Sequence, residues 1–118
     1  MATFNLRGYR PPQSFAFIGR EQGERARKDL NLDILDERPD GIELIIPKDT
    51  TSFNPSFFLG LLYKSIAKLG IAEFKKKYNF SYETDSKTLQ EILRRNIEDG
   101  IRNANNSLNN KSGLSIFQ

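Results

Sequence analysis

Thr51–Gly70, TSFNPSFFLGLLYKSIAKLG, decides how the rest of the chain is arranged. Asn54 predicts an N-cap, because its side-chain oxygen can accept one of the orphan amides of a helix start. Pro55 suits the first helical position, where its missing N–H costs nothing. Phe58, Leu61, Leu62, Ile66 and Leu69 then recur at helical spacing and predict the buried face. Gly70 can close the helix with a positive φ. Adjacent Phe57 and Phe58 cannot both point to one neighbour, so Phe57 is expected to stay partly exposed. Just upstream, Ile42-Glu43-Leu44-Ile45-Ile46 is the strongest strand in the chain. Its apolar density predicts a central strand covered on both faces. A buried strand therefore feeds a tight turn that presents a helix N-terminus at the surface. Exposed amides and a partial positive charge there suit a phosphate, a carboxylate or a partner protein.

Outward from this segment the alternation of elements continues. Ala2–Tyr9 and Ser14–Ile18 read as short strands that could pair as a hairpin across Pro11-Pro12. A helix is expected from Gly19–Arg20 to about Glu37, with Ala26, Leu30, Ile34 and Leu35 as its apolar stripe and a break at Asn31 or Asp33. Gly23 weakens it by about 1 kcal/mol relative to alanine, unless close packing needs the small residue. Pro39-Asp40-Gly41 is a stop. Ile71–Lys77 is a short helix, Asn79–Tyr82 a further strand, and Lys87–Asn103 a last helix capped by Asp85-Ser86. Leu89, Ile92, Leu93, Ile97, Ile101 and Ala104 step along that helix by three and four. Residues 1–104 thus form one domain, and 105–118, rich in Asn and Ser, a flexible tail. Leu114, Ile116 and Phe117 in that tail are a candidate docking cluster.

Composition removes several kinds of chemistry. The 118 residues contain no cysteine and no histidine, which excludes disulfides, thiolate metal sites and the commonest general base. No stretch approaches the ~20 apolar residues of a membrane span, and the chain reads as cytoplasmic. The net charge of +3 is small. Arg20, Arg25, Arg27 and Lys28 are interrupted by acids, and Lys75–Lys77 sit near a helix end. Both groups are expected to be solvated faces rather than a nucleic-acid patch. Glu21, Glu24, Asp33, Asp36, Glu37, Asp40 and Asp49 look surface-like, with no pair set in apolar surroundings for acid–base work. No calcium-loop spacing is present, and GREQGE lacks the Lys-Ser/Thr of a phosphate loop. The expectation is a protein with no catalytic residues, no metal and no cofactor.

Three stretches carry a family resemblance: FIGREQGERARKDLNLDILDE, GIELIIP, and SFNPSFFLGLLYKSIAKLG with IAEFKKKYNF. Over residues 15–82 the chain resembles the STAS domain of anti-sigma-factor antagonists, and most closely a bacterial STAS-like family of unknown function. The resemblance implies an α/β fold, a mixed sheet of four to five strands with helices packed mainly on one face. In the antagonists, the turn before the second main helix reads Asp-Ser-Ser-Gly, and its first Ser is phosphorylated by a histidine-kinase-like ATPase. On this chain that pattern places Asn54 at the Asp, Pro55 at the acceptor, Ser56 at the next Ser and Phe57 at the Gly. Pro55 carries no hydroxyl, and Ser56 comes one residue late, a rotation of about 100° on a helix. What the resemblance implies is a regulatory module that docks a partner protein through 52–65, the partner being a histidine-kinase-like ATPase or another regulator. The candidate contact residues are Ser52, Phe53, Asn54, Ser56 and Phe57, with Ser56 also a candidate phosphorylation site. The alternatives are a nucleotide or phosphoryl ligand at the helix start near Asn54, or an accessory role in a bacterial defence system.

Overall fold

The computed structural model describes the backbone of residues 1–117 and the side chains of residues 1–109. Strand β1 (Ala2–Asn5) is followed by a 3-10 turn at Leu6–Tyr9 and a two-residue strand β2 (Ala16–Phe17). Helix α1 (Arg20–Asp29) and a single turn α2 (Leu32–Leu35) lead to β3 (Ile42–Ile46) and β4 (Ser52–Phe53). Then come α3 (Pro55–Leu69), α4 (Ile71–Lys77), β5 (Tyr78–Tyr82) and α5 (Lys87–Phe117).

The expected hairpin and the expected single mixed sheet are both replaced by parallel pairing. β1, β3 and β5 form one three-stranded parallel sheet with β3 in the middle, and β2 pairs with β4 in a second parallel pair. β1 and β2 are close in sequence, but each finds its partner about forty residues on, in register Ala2–Ile42 and Ala16–Ser52. Two strand-to-helix units therefore lie side by side: β1, β2 and α1 beside β3, β4 and α3.

β3 is central, as expected, but only one of its faces is buried. Ile42, Leu44 and Ile46 are inside, while Glu43 and Ile45 are half-exposed. The register continues that division. Phe4, Leu44 and Phe80 share the helix-covered side, and Thr3, Glu43 and Asn79 share the other. The helices and the inner sheet face join in one core cluster.

α3 is the central helix, packed between α1 and α5. Gly23 and Gly60 make the α1–α3 approach, since a Cβ on either would collide with the backbone of the other helix. Gly100 on α5 gives the same clearance to the Phe58 ring. The helix expected over 20–37 breaks at Asn31, which adopts the left-handed conformation (φ 57°). That break turns α2 so that Ile34, expected in the apolar stripe, is 54% exposed. Ile92 on α5 is likewise more exposed than its place in the stripe implies. α5 continues past the expected end at 103. Residues 105–109, where a flexible tail was expected, are helical, and Leu108 packs partly against the core. The rest of that tail, with Leu114, Ile116 and Phe117, lies outside the residues whose side chains are described.

Candidate functional site

At the start of α3 the local chemistry is as expected. Asn54 Oδ1 accepts the Ser56 N–H at 2.9 Å, and Pro55 occupies the first turn. The same oxygen accepts the Ser56 hydroxyl at 2.6 Å. Ser56 Oγ in turn accepts the N–H of Gly19, the residue that opens α1, at 3.2 Å. The first turns of α1 and α3 are thus linked through one hydroxyl. As an acceptor of phosphate, Ser56 would have to release Asn54 first. A nucleotide or phosphoryl ligand at this end would compete with the Asn54 cap in the same way.

The two aromatic residues of the expected contact set are not at the surface. Phe53 and Phe57 are fully buried, as is Phe58. Phe57 and Phe53 close a ring cluster with Phe17 of β2, at centroid separations of 5.0–5.3 Å. Phe58 sits between this cluster and the rest of the core, 6.4 Å from Phe53 and 6.5 Å from Phe74, with Gly100 against its ring. Adjacent phenylalanines can both be buried here because α3 has neighbours on more than one side. The expectation that Phe57 is partly exposed fails for that reason, and Phe53 and Phe57 present no ring to a partner. Ser52 and Ser56 are half-buried and Asn54 is exposed.

Apolar surface at this end comes from residues that the sequence did not single out. Phe15 and Ile18, which flank β2, are 60% and 49% exposed. Among the described residues β2 pairs with β4 alone, through Thr51 N–H to Phe15 O and Asn54 N–H to Phe17 O. β4 is closed on its other side by α5, where Asn96 Oδ1 accepts the Phe53 N–H at 2.8 Å. The outer edge of β2 has no strand neighbour among the described residues, but Ser14 Oγ closes it, accepting the Ala16 N–H at 3.1 Å and donating to the Ala16 carbonyl at 3.2 Å, with Phe15 and Ile18 exposed on either side.

A second polar constellation was hidden from the sequence. Asp36, expected at the surface, has a fully buried side chain. Its two oxygens accept from Tyr78 Oη at 2.5 Å, from Ser65 Oγ at 2.5 Å and from Arg27 Nη2 at 3.2 Å. Arg27, expected on a solvated face, is 5% exposed. It also donates to Ser65 Oγ, Leu61 O and Asp33 Oδ1. All five N–H groups of its guanidinium are committed. Burial, and then the hydrogen bond to Asp36, hold the Tyr78 phenol well above the ordinary tyrosine range. Arg27's hydrogen bond, and then its charge, hold the Asp33 carboxyl below the usual range. Every buried polar side-chain atom in the network is paired. The network locks α1, α2, α3 and β5 together.

Charges elsewhere are mostly paired at the surface. Glu91 bonds to Arg94 and Arg95, and the Arg94 hydrogen bond chiefly pulls its carboxyl down to about 2. Lys75 and Lys76 face Glu98 and Glu73, and Lys77 donates to the carbonyls of Arg38 and Asp40. Among the described residues no three carboxylates gather where a metal ion could sit, and no helix is long and apolar enough to cross a membrane. Compared with protein-family models, with characterised proteins and with solved structures, the chain finds no match.

Proposed function

We propose that this chain is a non-enzymatic, STAS-like regulatory module that docks a partner protein through the end formed by β2, β4 and the first turn of α3. The observation that carries this reading is the exposure of Phe15 and Ile18 on either side of the edge strand β2. Large apolar side chains held at the rim of an edge strand suit a partner's apolar contact. Ser52, Asn54 and Ser56 lie beside it and supply the polar rim. The resemblance to anti-sigma-factor antagonists supports the same end of the molecule, and suggests a histidine-kinase-like ATPase or another regulator as partner. Phosphorylation of Ser56 would add close to two negative charges beside this apolar surface and remove the hydroxyl proton that holds Asn54. Regulation by charge at the docking end follows from that chemistry.

The test is a pull-down from the native cytosol with wild-type protein and a Phe15→Ser/Ile18→Ser double variant, followed by identification of what is captured. The expected outcome is one or more proteins held by wild type and lost by the variant. Equal capture by both would remove this end of the molecule as the docking surface.

A further inference from the structure

We propose that the outer edge of β1 is a self-association surface, at which two copies of this chain pair β1 with β1, antiparallel across a two-fold axis, and join their sheets into one. It uses residues apart from β2 and the start of α3, and stands or falls separately from that reading. β1 is an edge strand of the parallel sheet, with β3 on its inner side alone. The Ala2 N–H bonds to Gly41 O, so Ala2 and Phe4 turn their backbone groups toward β3 and Thr3 turns its own outward. Neither the N–H nor the C=O of Thr3 has a partner among the described residues. At the edge of β2 the corresponding groups of Ala16 are closed by Ser14 Oγ, and no described side chain does the same for Thr3. β1 also carries none of the charged residues or prolines that commonly keep sheet edges apart.

A second copy is the occupant because this surface holds both halves of each contact it needs. Antiparallel pairing about Thr3 sets Thr3 opposite Thr3 and Ala2 opposite Phe4, so residues of the helix-covered side meet their own kind. The two Thr3 residues then exchange both of their N–H···O bonds. Beside β1, a cleft of about 400 Å³ is lined by Phe4, Leu30, Leu35 and Ile34, the last 54% exposed. Two copies joined at β1 bring these apolar surfaces toward each other. Asp29 and Arg38 stand in the same cleft. A surface with one charge of each sign favours neither a strongly acidic nor a strongly basic partner. It does match its own copy, because across a two-fold axis each contact one copy offers is returned by the other. The far edge of the sheet, β5, is less suited. Lys75 of α4 pairs with Glu98 of α5 beside it, and the charges of Arg94, Glu98 and Glu91 act on its Tyr82.

Sedimentation equilibrium of the full chain over a series of protein concentrations tests this directly, with hydrogen exchange at the Thr3 amide as the local readout. Wild type should pass from monomer to dimer as concentration rises, and the Thr3 amide should become protected in step. Thr3→Pro removes the outward N–H and spares the bonds between β1 and β3, a position at which an edge strand accepts proline. With both bonds between the Thr3 residues lost, dimer affinity should fall about tenfold or more. Ile34→Glu should weaken the dimer too, and Phe15→Ser/Ile18→Ser should leave it unchanged. Circular dichroism should show each variant folded, and Ile34→Glu, at an exposed position, decides the matter if Thr3→Pro does not fold. Four outcomes would each overturn the proposal. They are a monomer at every concentration, which would leave this edge to a strand of a different protein; a dimer whose Thr3 amide exchanges as fast as the monomer's; a dimer untouched by the folded Thr3→Pro and Ile34→Glu variants; or a dimer lost only in Phe15→Ser/Ile18→Ser.

Discussion

The start of α3 and the buried corner around Asp36 are both built from side-chain hydrogen bonds, but they differ in reach. At the start of α3 the cap itself joins residues two apart, Asn54 and Ser56, with one long-range bond, from Gly19 N–H to Ser56 Oγ, at its edge. Around Asp36 the partners lie 9, 29 and 42 residues away. The first holds the starts of α1 and α3 in place near the surface. The second joins three helices and a strand, in a setting where an unmade bond cannot be replaced by water. The difference is one of consequence as well as distance. A local cap can fail while the fold persists, whereas a buried charge that loses its partner endangers the fold itself.

The largest effect should come from Asp36→Ala. It leaves the Tyr78 hydroxyl and the Ser65 hydroxyl without their acceptor, and leaves Arg27 buried with only the exposed Asp33 as counter-charge. Breaking a buried ion pair from one side costs about 3–5 kcal/mol, read as a lowered midpoint in urea denaturation. A loss below about 1 kcal/mol, the scale of a single cap, would erase the distinction between the two regions.

Tyr78→Phe is the milder cut. It keeps the ring that stacks on Phe74 and removes only the hydroxyl donor to Asp36. A hydrogen bond to a charged acceptor is worth about 1.5–3 kcal/mol, and the variant should lose stability in that range. The phenol also sets a pH dependence. Its folded-state pKa is raised, so the unfolded chain loses this proton first as pH rises. The stabilisation is complete below the ordinary tyrosine value of about 10 and is lost as pH climbs above it. Urea midpoints between pH 9 and 11 should therefore fall more steeply in wild type than in Tyr78→Phe. Parallel slopes would place the alkaline sensitivity on Tyr9 and Tyr82, whose phenols are also raised.

Asn54→Ala comes next. Removing an N-cap costs about 1 kcal/mol, and here it also frees the Ser56 hydroxyl from its acceptor. The same denaturation assay measures it. If Asn54→Ala costs as much as Asp36→Ala, the start of α3 is far more than a local cap.

The same difference in reach explains what the sequence disclosed. The Asn54-Pro55 cap, the β3 strand and the helix break, expected at Asn31 or Asp33 and found at Asn31, each depend on residues within a few positions. Gly23 was legible as a cost that close packing would explain, and the approach of α3 supplies that packing. The parallel pairing of β1 with β3 was not legible, because nothing in either strand names a partner forty residues away. Asp36 was not legible for the same reason. In LDILDERPD it reads as one more acid before a turn, and its burial depends on Arg27, Ser65 and Tyr78 arriving from three other elements. Phe15 and Ile18 were counted as strand residues. Their exposure follows from β2 having a single neighbour, a property of the assembled sheet.

The smallest stability effect, and the sharpest use of the contrast, belongs to Phe15→Ser/Ile18→Ser. Both side chains are about half or more exposed, at 60% and 49%, so little apolar area returns to water when they are replaced. Substitutions of this kind stay within about 0.5 kcal/mol of wild type. Side chains that add little to the fold, at the rim of an edge strand, are free to serve contact with something else. Urea denaturation and partner capture on the same double variant separate the two roles. An unchanged midpoint with lost capture places Phe15 and Ile18 in recognition. A midpoint that drops by as much as that of Asn54→Ala would mean that they hold β2 against β4, and the docking end would then have to lie elsewhere on the molecule.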